Sequence, residues 1–194
     1  MFCQQRTFLM PALEKELRKA ILSLPAARKD KLLLQLLTPN QLLQEQLAFE
    51  LLEGPEGLET RREALQHQIT TVAQGFYYNA SELLIGLRQV CPVISNHVKV
   101  THDAYGEVSL LLLLLNQVLS HQKELLHTLT GANEALGLFL AKRTEEALQK
   151  LDRLHEDLHV EFAQQMSNLL PKLHASAAGY SARKLGLPLN WQEE

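Results

Sequence analysis

Apolar residues recur along this chain three and four positions apart, the spacing of one helix face, with almost no strand-like alternation. Leu13, Leu17, Ile21 and Leu24 set the first such stripe, and Glu14 and Arg18 stand four apart beside it, predicting a helix from Pro11 to Ser23 that Pro25 ends. A second helix carries Leu32, Leu33, Leu36 and Leu37. Thr38-Pro39-Asn40-Gln41 then reads as an N-cap, a proline at the first helical position and a capping-box glutamine, opening a third helix that buries Leu43, Leu47 and Leu51. Gly54-Pro55-Glu56-Gly57 is the clearest turn and the predicted internal boundary.

Beyond it, Leu65, Ile69, Val72 and Phe76 line one side of a fourth helix ending near Tyr77 and Tyr78. Asn79 with Glu82 three residues on predicts a capped fifth helix through Leu83, Leu84, Leu87 and Val90, ended or kinked by Pro92, and 93–103 reads as a kinked continuation or a loop. Leu110 to Leu119 is apolar nearly all round and predicts a central helix. Gly131 and Asn133 precede a final long helix with a stripe through Leu148, Leu151, Leu154, Leu158, Phe162, Met166 and Leu169, interrupted by Pro171. The expectation is an all-α bundle of about six or seven helices. Within it, N-terminal helices over 1–53, of the near-equal lengths of repeat units, are expected to pack on a main bundle over 58–173, with 174–194 a peripheral tail, all in one structural domain.

Composition agrees with helix: 46% of residues are hydrophobic but only 6% aromatic, and the excess is leucine, a strong helix former, not Val or Ile. With 19 basic and 22 acidic residues read as mixed along the chain, the net charge of −3 predicts neither a nucleic-acid nor a membrane partner. Cys3 and Cys91 are too few and too far apart for a disulfide framework or a CxxC metal site. The start lacks the apolar core of a secretory signal, and the run from Leu110 to Leu115 is far too short to span a bilayer, so a cytoplasmic location is expected.

The segments ELRKAILSLPAARKDKLLLQLL and HVKVTHDAYGEVSLLLLLLNQVL resemble parts of uncharacterised helical proteins of Bacteroidota-type bacteria. The resemblance covers under half of the chain. It implies a bacterial, cytosolic origin and brings no activity and no functional residues with it.

Two segments could carry metal chemistry. His155-Glu156-Asp157-Leu158-His159 matches H-E-x-x-H, in which two histidines on one helix face hold zinc and the glutamate activates water. No third ligand follows at the usual spacing, since Phe162 and Gln165 stand where a glycine and a histidine would be needed, and only Glu193 and Glu194 remain downstream. Projection at the helical angle places His155 inside the Leu151/Leu158/Phe162 stripe, where it reads better as a packing histidine. Alternatively, Glu124-x-x-His127 and Glu156-x-x-His159 are two Glu-x-x-His pairs, half the ligand set of a four-helix di-iron or di-manganese protein, with Glu63, Glu82 and Glu107 as candidates for the remainder.

Phosphate-binding and nucleophile-elbow patterns are absent, and Arg61-Arg62 and Arg183-Lys184 are isolated basic pairs without interleaved aromatics. Phe76, Tyr77 and Tyr78 form the one aromatic cluster; it closes a helix end or, in the case of Tyr77 and Tyr78, anchors a partner. These observations together predict a non-enzymatic scaffold, adaptor or regulatory protein with a protein partner or self-association and no cofactor, the metal-dependent helical protein being the alternative.

Overall fold

The computed structural model describes residues 14–191. Every regular element among them is helical. The chain divides into two units with the break after Gln44, ten residues ahead of the glycine-proline turn that the pattern suggests.

The first unit holds α1 (Lys15–Ser23), α2 (Ala26–Leu37) and the start of α3 (Gln41–Ala48). Pro11 and Leu13, where the first helix was expected to begin, lie outside the described residues. Leu24 and Pro25 are extended and separate α1 from α2. The N-cap of α3 is Asn40, not Thr38: its Oδ1 accepts from the Leu43 N–H at 3.1 Å, while Thr38 stays with α2, its backbone N–H and hydroxyl both donating to the Leu34 carbonyl. Asparagine is a better N-cap than threonine, and the threonine hydroxyl has a preceding carbonyl within reach. None of the residues of α1 and α2 is buried.

In the second unit, a π-helical turn (Phe49–Glu53) follows α3, and α4 (Gly54–Gln74) starts where Gly54 adopts φ 62°, a left-handed conformation that suits a residue without Cβ. The expected turn is thus compressed into this single residue, with Pro55 in the first helical turn, where its missing amide costs nothing. Leu51, predicted to be buried, is exposed on the π turn.

Leu65, Ile69 and Ala73 bury the inner side of α4, which stops at Gln74; Phe76 therefore leaves the helix and is exposed, against the expectation for that stripe. Helix α5 (Ala80–Thr101) begins on the predicted cap, the Asn79 side chain accepting from the Glu82 N–H at 3.0 Å and Glu82 accepting from the Tyr78 N–H at 3.0 Å. It runs unbroken through Pro92. Pro92 lacks the N–H that the Arg88 carbonyl would accept from, and both residues are exposed, on the side of the helix where such a loss costs least. Val98 and Val100 are helical, and His102 closes the element in the left-handed region at φ 58°.

Helix α6 (Ala104–His121) is the centre of this unit, packed by α4, α5, α8 and α9. Val108, Leu110, Leu111, Leu112, Leu114, Leu115, Val118 and Leu119 are all buried on it, as an all-round apolar helix requires. The short α7 (Lys123–Leu126) and the following turn are held by amides. Gln122 donates to the carbonyls of Ala73 and Gly75 at 2.8 and 2.9 Å, and Asn133 donates to those of Leu125 and Thr128, both at 2.9 Å.

The predicted long C-terminal helix is two helices, α8 (Glu134–Leu151) and α9 (His159–Ala175), joined by 152–158 with a 3₁₀ turn at Glu156–Leu158. The leucine stripe continues across the break because Leu148 and Leu154 pack on the same core from either side of it, which hides the junction from periodicity. Helix α10 (Gly179–Lys184) then packs on α8 and α9 with Ala177, Ala178, Ala182 and Leu187 buried. The expected peripheral tail is thus part of the core over this stretch. Small residues make the close approach possible: a Cβ on Gly137 would stand 2.8 Å from the Ala177 carbonyl oxygen. Trp191 also packs on the core cluster.

Candidate interaction surface

The metal candidates are spread over separate elements. H-E-x-x-H does not lie on one helix: His155 and Glu156 precede α9, and only His159 belongs to it. Without a continuous helix the i, i+4 geometry that would aim both imidazoles at one ion is lost. His155 is not a packing residue either. Its side chain is 76% exposed, with Nδ1 accepting from the Asp157 N–H at 3.4 Å and standing 3.3 Å from the Asp157 carboxylate. Glu156 is exposed and His159 half-buried.

The second Glu-x-x-His pair is likewise split by the end of α7. Glu124 is exposed on it, and His127 beyond it is exposed with Nδ1 2.8 Å from the Thr128 hydroxyl. The carboxylates proposed to complete the set are separately placed: Glu82 caps α5, Glu107 holds Lys150 of α8 at 2.5 Å, and Glu63 is exposed on α4. Among the described residues no three His, Cys, Asp or Glu side chains stand close enough to share an ion. Cys3 lies outside the described residues. Cys91 is buried, and desolvation pushes its thiol up to about 11, far from a reactive thiolate.

The most connected buried polar cluster joins α4, α5 and α6. Arg62 grips Asp103 through Nε and Nη2 at 2.6 and 2.7 Å, Asp103 caps α6 by accepting from the Gly106 N–H at 2.9 Å, and His97 Nε2 lies 3.3 Å from its carboxylate. Burial pushes the Asp103 carboxyl up, but Arg62, Gly106 and His97 outweigh it and hold the group below the ordinary carboxylate range. Arg62 also lies over the Tyr105 ring at 5.5 Å, and Tyr105 donates to Glu161 of α9 at 2.8 Å. Each polar group here serves a cap, an ion pair or a ring contact, so the cluster fastens helix ends together.

The aromatic cluster separates into two roles. Tyr77 donates to the Val72 carbonyl at 2.8 Å and packs on the core, closing the end of α4; burial raises its phenol. Tyr78 is 83% exposed and makes an edge contact with the equally exposed Phe76, ring centroids 4.9 Å apart. Tyr77 and Glu124 do line one shallow cleft with Phe76, Gly75 and His121.

Exposed apolar surface is densest in the first unit. Leu17, Ile21 and Leu22 on α1 and Leu32, Leu33, Leu34 and Leu36 on α2 are all between 40% and 67% exposed. Single exposed leucines need no explanation, but seven on two consecutive short helices are the kind of concentration that marks an interaction surface. Periodicity located these residues but does not decide their burial, since an amphipathic stripe has the same spacing whether the structure covers it or leaves it open. No family model, curated protein or solved structure matches the chain.

Proposed function

We propose that this chain is a non-enzymatic interaction or scaffold protein that presents the leucine faces of α1 and α2 to a partner. The observation that carries the reading is the set of seven large apolar side chains left exposed on these two helices, whereas the leucines of the second unit are mostly packed away. Folding alone gives no reason to keep such a surface, because each of these half-exposed side chains forgoes part of the roughly 1.5–3 kcal/mol that full burial supplies. Docking recovers it. The exposed Phe76–Tyr78 pair on the second unit is a smaller anchor of the same type.

The test is a comparison of cellular associations of the full chain and of its Leu33→Glu/Leu36→Glu variant by quantitative proximity labelling. Loss of specific neighbours in a variant with an unchanged melting transition is the expected result. An identical set of neighbours for both proteins would overturn the reading.

A further inference from the structure

Resting on that docking reading, two observations narrow what the partner is. Charge is not evenly mixed: residues 14–44 hold six lysines and arginines against three acids, Glu14, Glu16 and Asp30, whereas 45–194 hold 12 against 19. The open leucine faces therefore belong to a basic segment of an acidic protein. The second observation is the breadth of the apolar arc. At the helical angle Leu32 and Leu34 project to opposite sides of Leu33, with Leu36 and Leu37 between them, an arc of roughly 200°. Arg28, Lys31 and Gln35 fill the opposite side of α2; Lys29 and Asp30 fall within the arc, at its N-terminal end. On α1, Lys15 and Lys19 project opposite Leu17 and Ile21, while Leu22 falls beside Lys15, and Glu14 falls within the Leu17 side; the helix is strongly amphipathic at low net hydrophobicity.

A protein groove takes a narrow seam of anchors at i, i+3, i+4 and i+7. An arc of this width suits a fluid apolar phase that needs no side-chain complementarity, with basic residues directed to acidic headgroups and lysine stems reaching past the leucines. We infer that α1 and α2 dock in the plane of an anionic bilayer surface, leucines in the acyl boundary and Lys/Arg among the headgroups. No helix among the described residues is long and apolar enough to cross a membrane, so the attachment lies on the surface and reverses with charge.

The experiment is co-sedimentation of the full chain with phosphatidylcholine vesicles and with mixed phosphatidylcholine–phosphatidylserine vesicles. Binding to the mixed vesicles alone is expected, released by high salt. Lys15→Glu/Lys19→Glu should weaken binding by roughly an order of magnitude or more, and Leu33→Glu/Leu36→Glu should abolish it. Neither pair removes a buried side chain, and each variant is checked by its melting transition. No sedimentation, equal sedimentation with both vesicles, or full binding by the leucine variant overturns the inference. If vesicles fail while the leucine variant still loses its cellular neighbours, the docking reading stands and the face belongs to an acidic protein; if both fail, neither survives.

Discussion

Residues 14–44 and residues 45–191 are built from the same leucine-rich helical pattern and end with opposite burial. In the second unit α6 alone buries eight large apolar side chains, because four helices close around it. In the first, α1 and α2 bury none. The difference teaches that periodicity specifies which side of a helix is apolar, while burial is decided by how many other helices that side meets. It also separates two kinds of leucine pattern, one that packs a core and one that is left exposed.

The largest effect that can break this comparison comes from placing the same charge in both units. Leu112→Asp inserts a carboxylate where the side chain is fully buried and no partner charge is at hand; the cost of several kcal/mol approaches the roughly 5–15 kcal/mol that holds an average domain together. Soluble expression should fail. Leu33→Asp, at a side chain 52% exposed, should leave yield and thermal melt as in the wild type. A parallel collapse of both variants would show that the two units are not distinguished by burial at all.

Next in size is the polar fastening at Asp103. Asp103→Ala removes the α6 cap and leaves Arg62 without its bidentate partner, a loss of about 3 kcal/mol in urea unfolding at neutral pH. Because the folded carboxyl is held below its ordinary value, the stabilisation is complete above the unfolded-state pKa of about 4 and is lost as pH falls through the folded value. The gap between wild type and variant should therefore narrow in acid. A gap that is constant across that range would place the effect in packing instead of charge. A smaller loss, about 1–3 kcal/mol, is expected for Gly137→Ala, where the new Cβ meets the backbone of Ala177 and α10 must shift; thermal denaturation measures it directly.

How much of this was legible follows the same division. Helix class, the central place of α6 and the Asn79–Glu82 cap were all readable, because an all-round apolar run and a capping residue act locally. The break between α8 and α9 was not, since Leu154 keeps the stripe in phase through 152–158, and neither glycine nor proline marks the turn. Burial of Ala177, Ala178 and Ala182 was hidden for another reason: alanines carry little hydrophobic signal, and their value here is the close approach they permit. Of the candidate residues, Tyr77 and Tyr78 were identified as a cluster, but which would anchor and which would pack depended on where α4 ends. The uneven charge was visible in the sequence throughout and was lost by counting the whole chain at once.

The smallest expected effect sharpens the comparison from inside the second unit, at the loop that carries the zinc-like motif. His155 shares the exposure of the first unit's leucines although it sits between two packed helices, and its one local role is to accept the Asp157 N–H. Aspartate is itself a strong N-cap residue, so His155→Asp can replace that contact and should change stability by no more than about 0.5 kcal/mol. A histidine buried at a helix contact would behave differently, since a carboxylate placed in packed surroundings costs several times as much. Glu156→Gln, exposed beside it, should be equally silent in stability and in cellular association. Thermal melts of the wild type with and without chelator should superimpose, because the core is closed by leucine and alanine packing and no candidate ligand set gathers among the described residues. A fall of many degrees on chelation, together with stoichiometric bound metal and loss of association in Glu156→Gln, would instead require 152–159 to reorganise around an ion into the continuous helix that the motif demands.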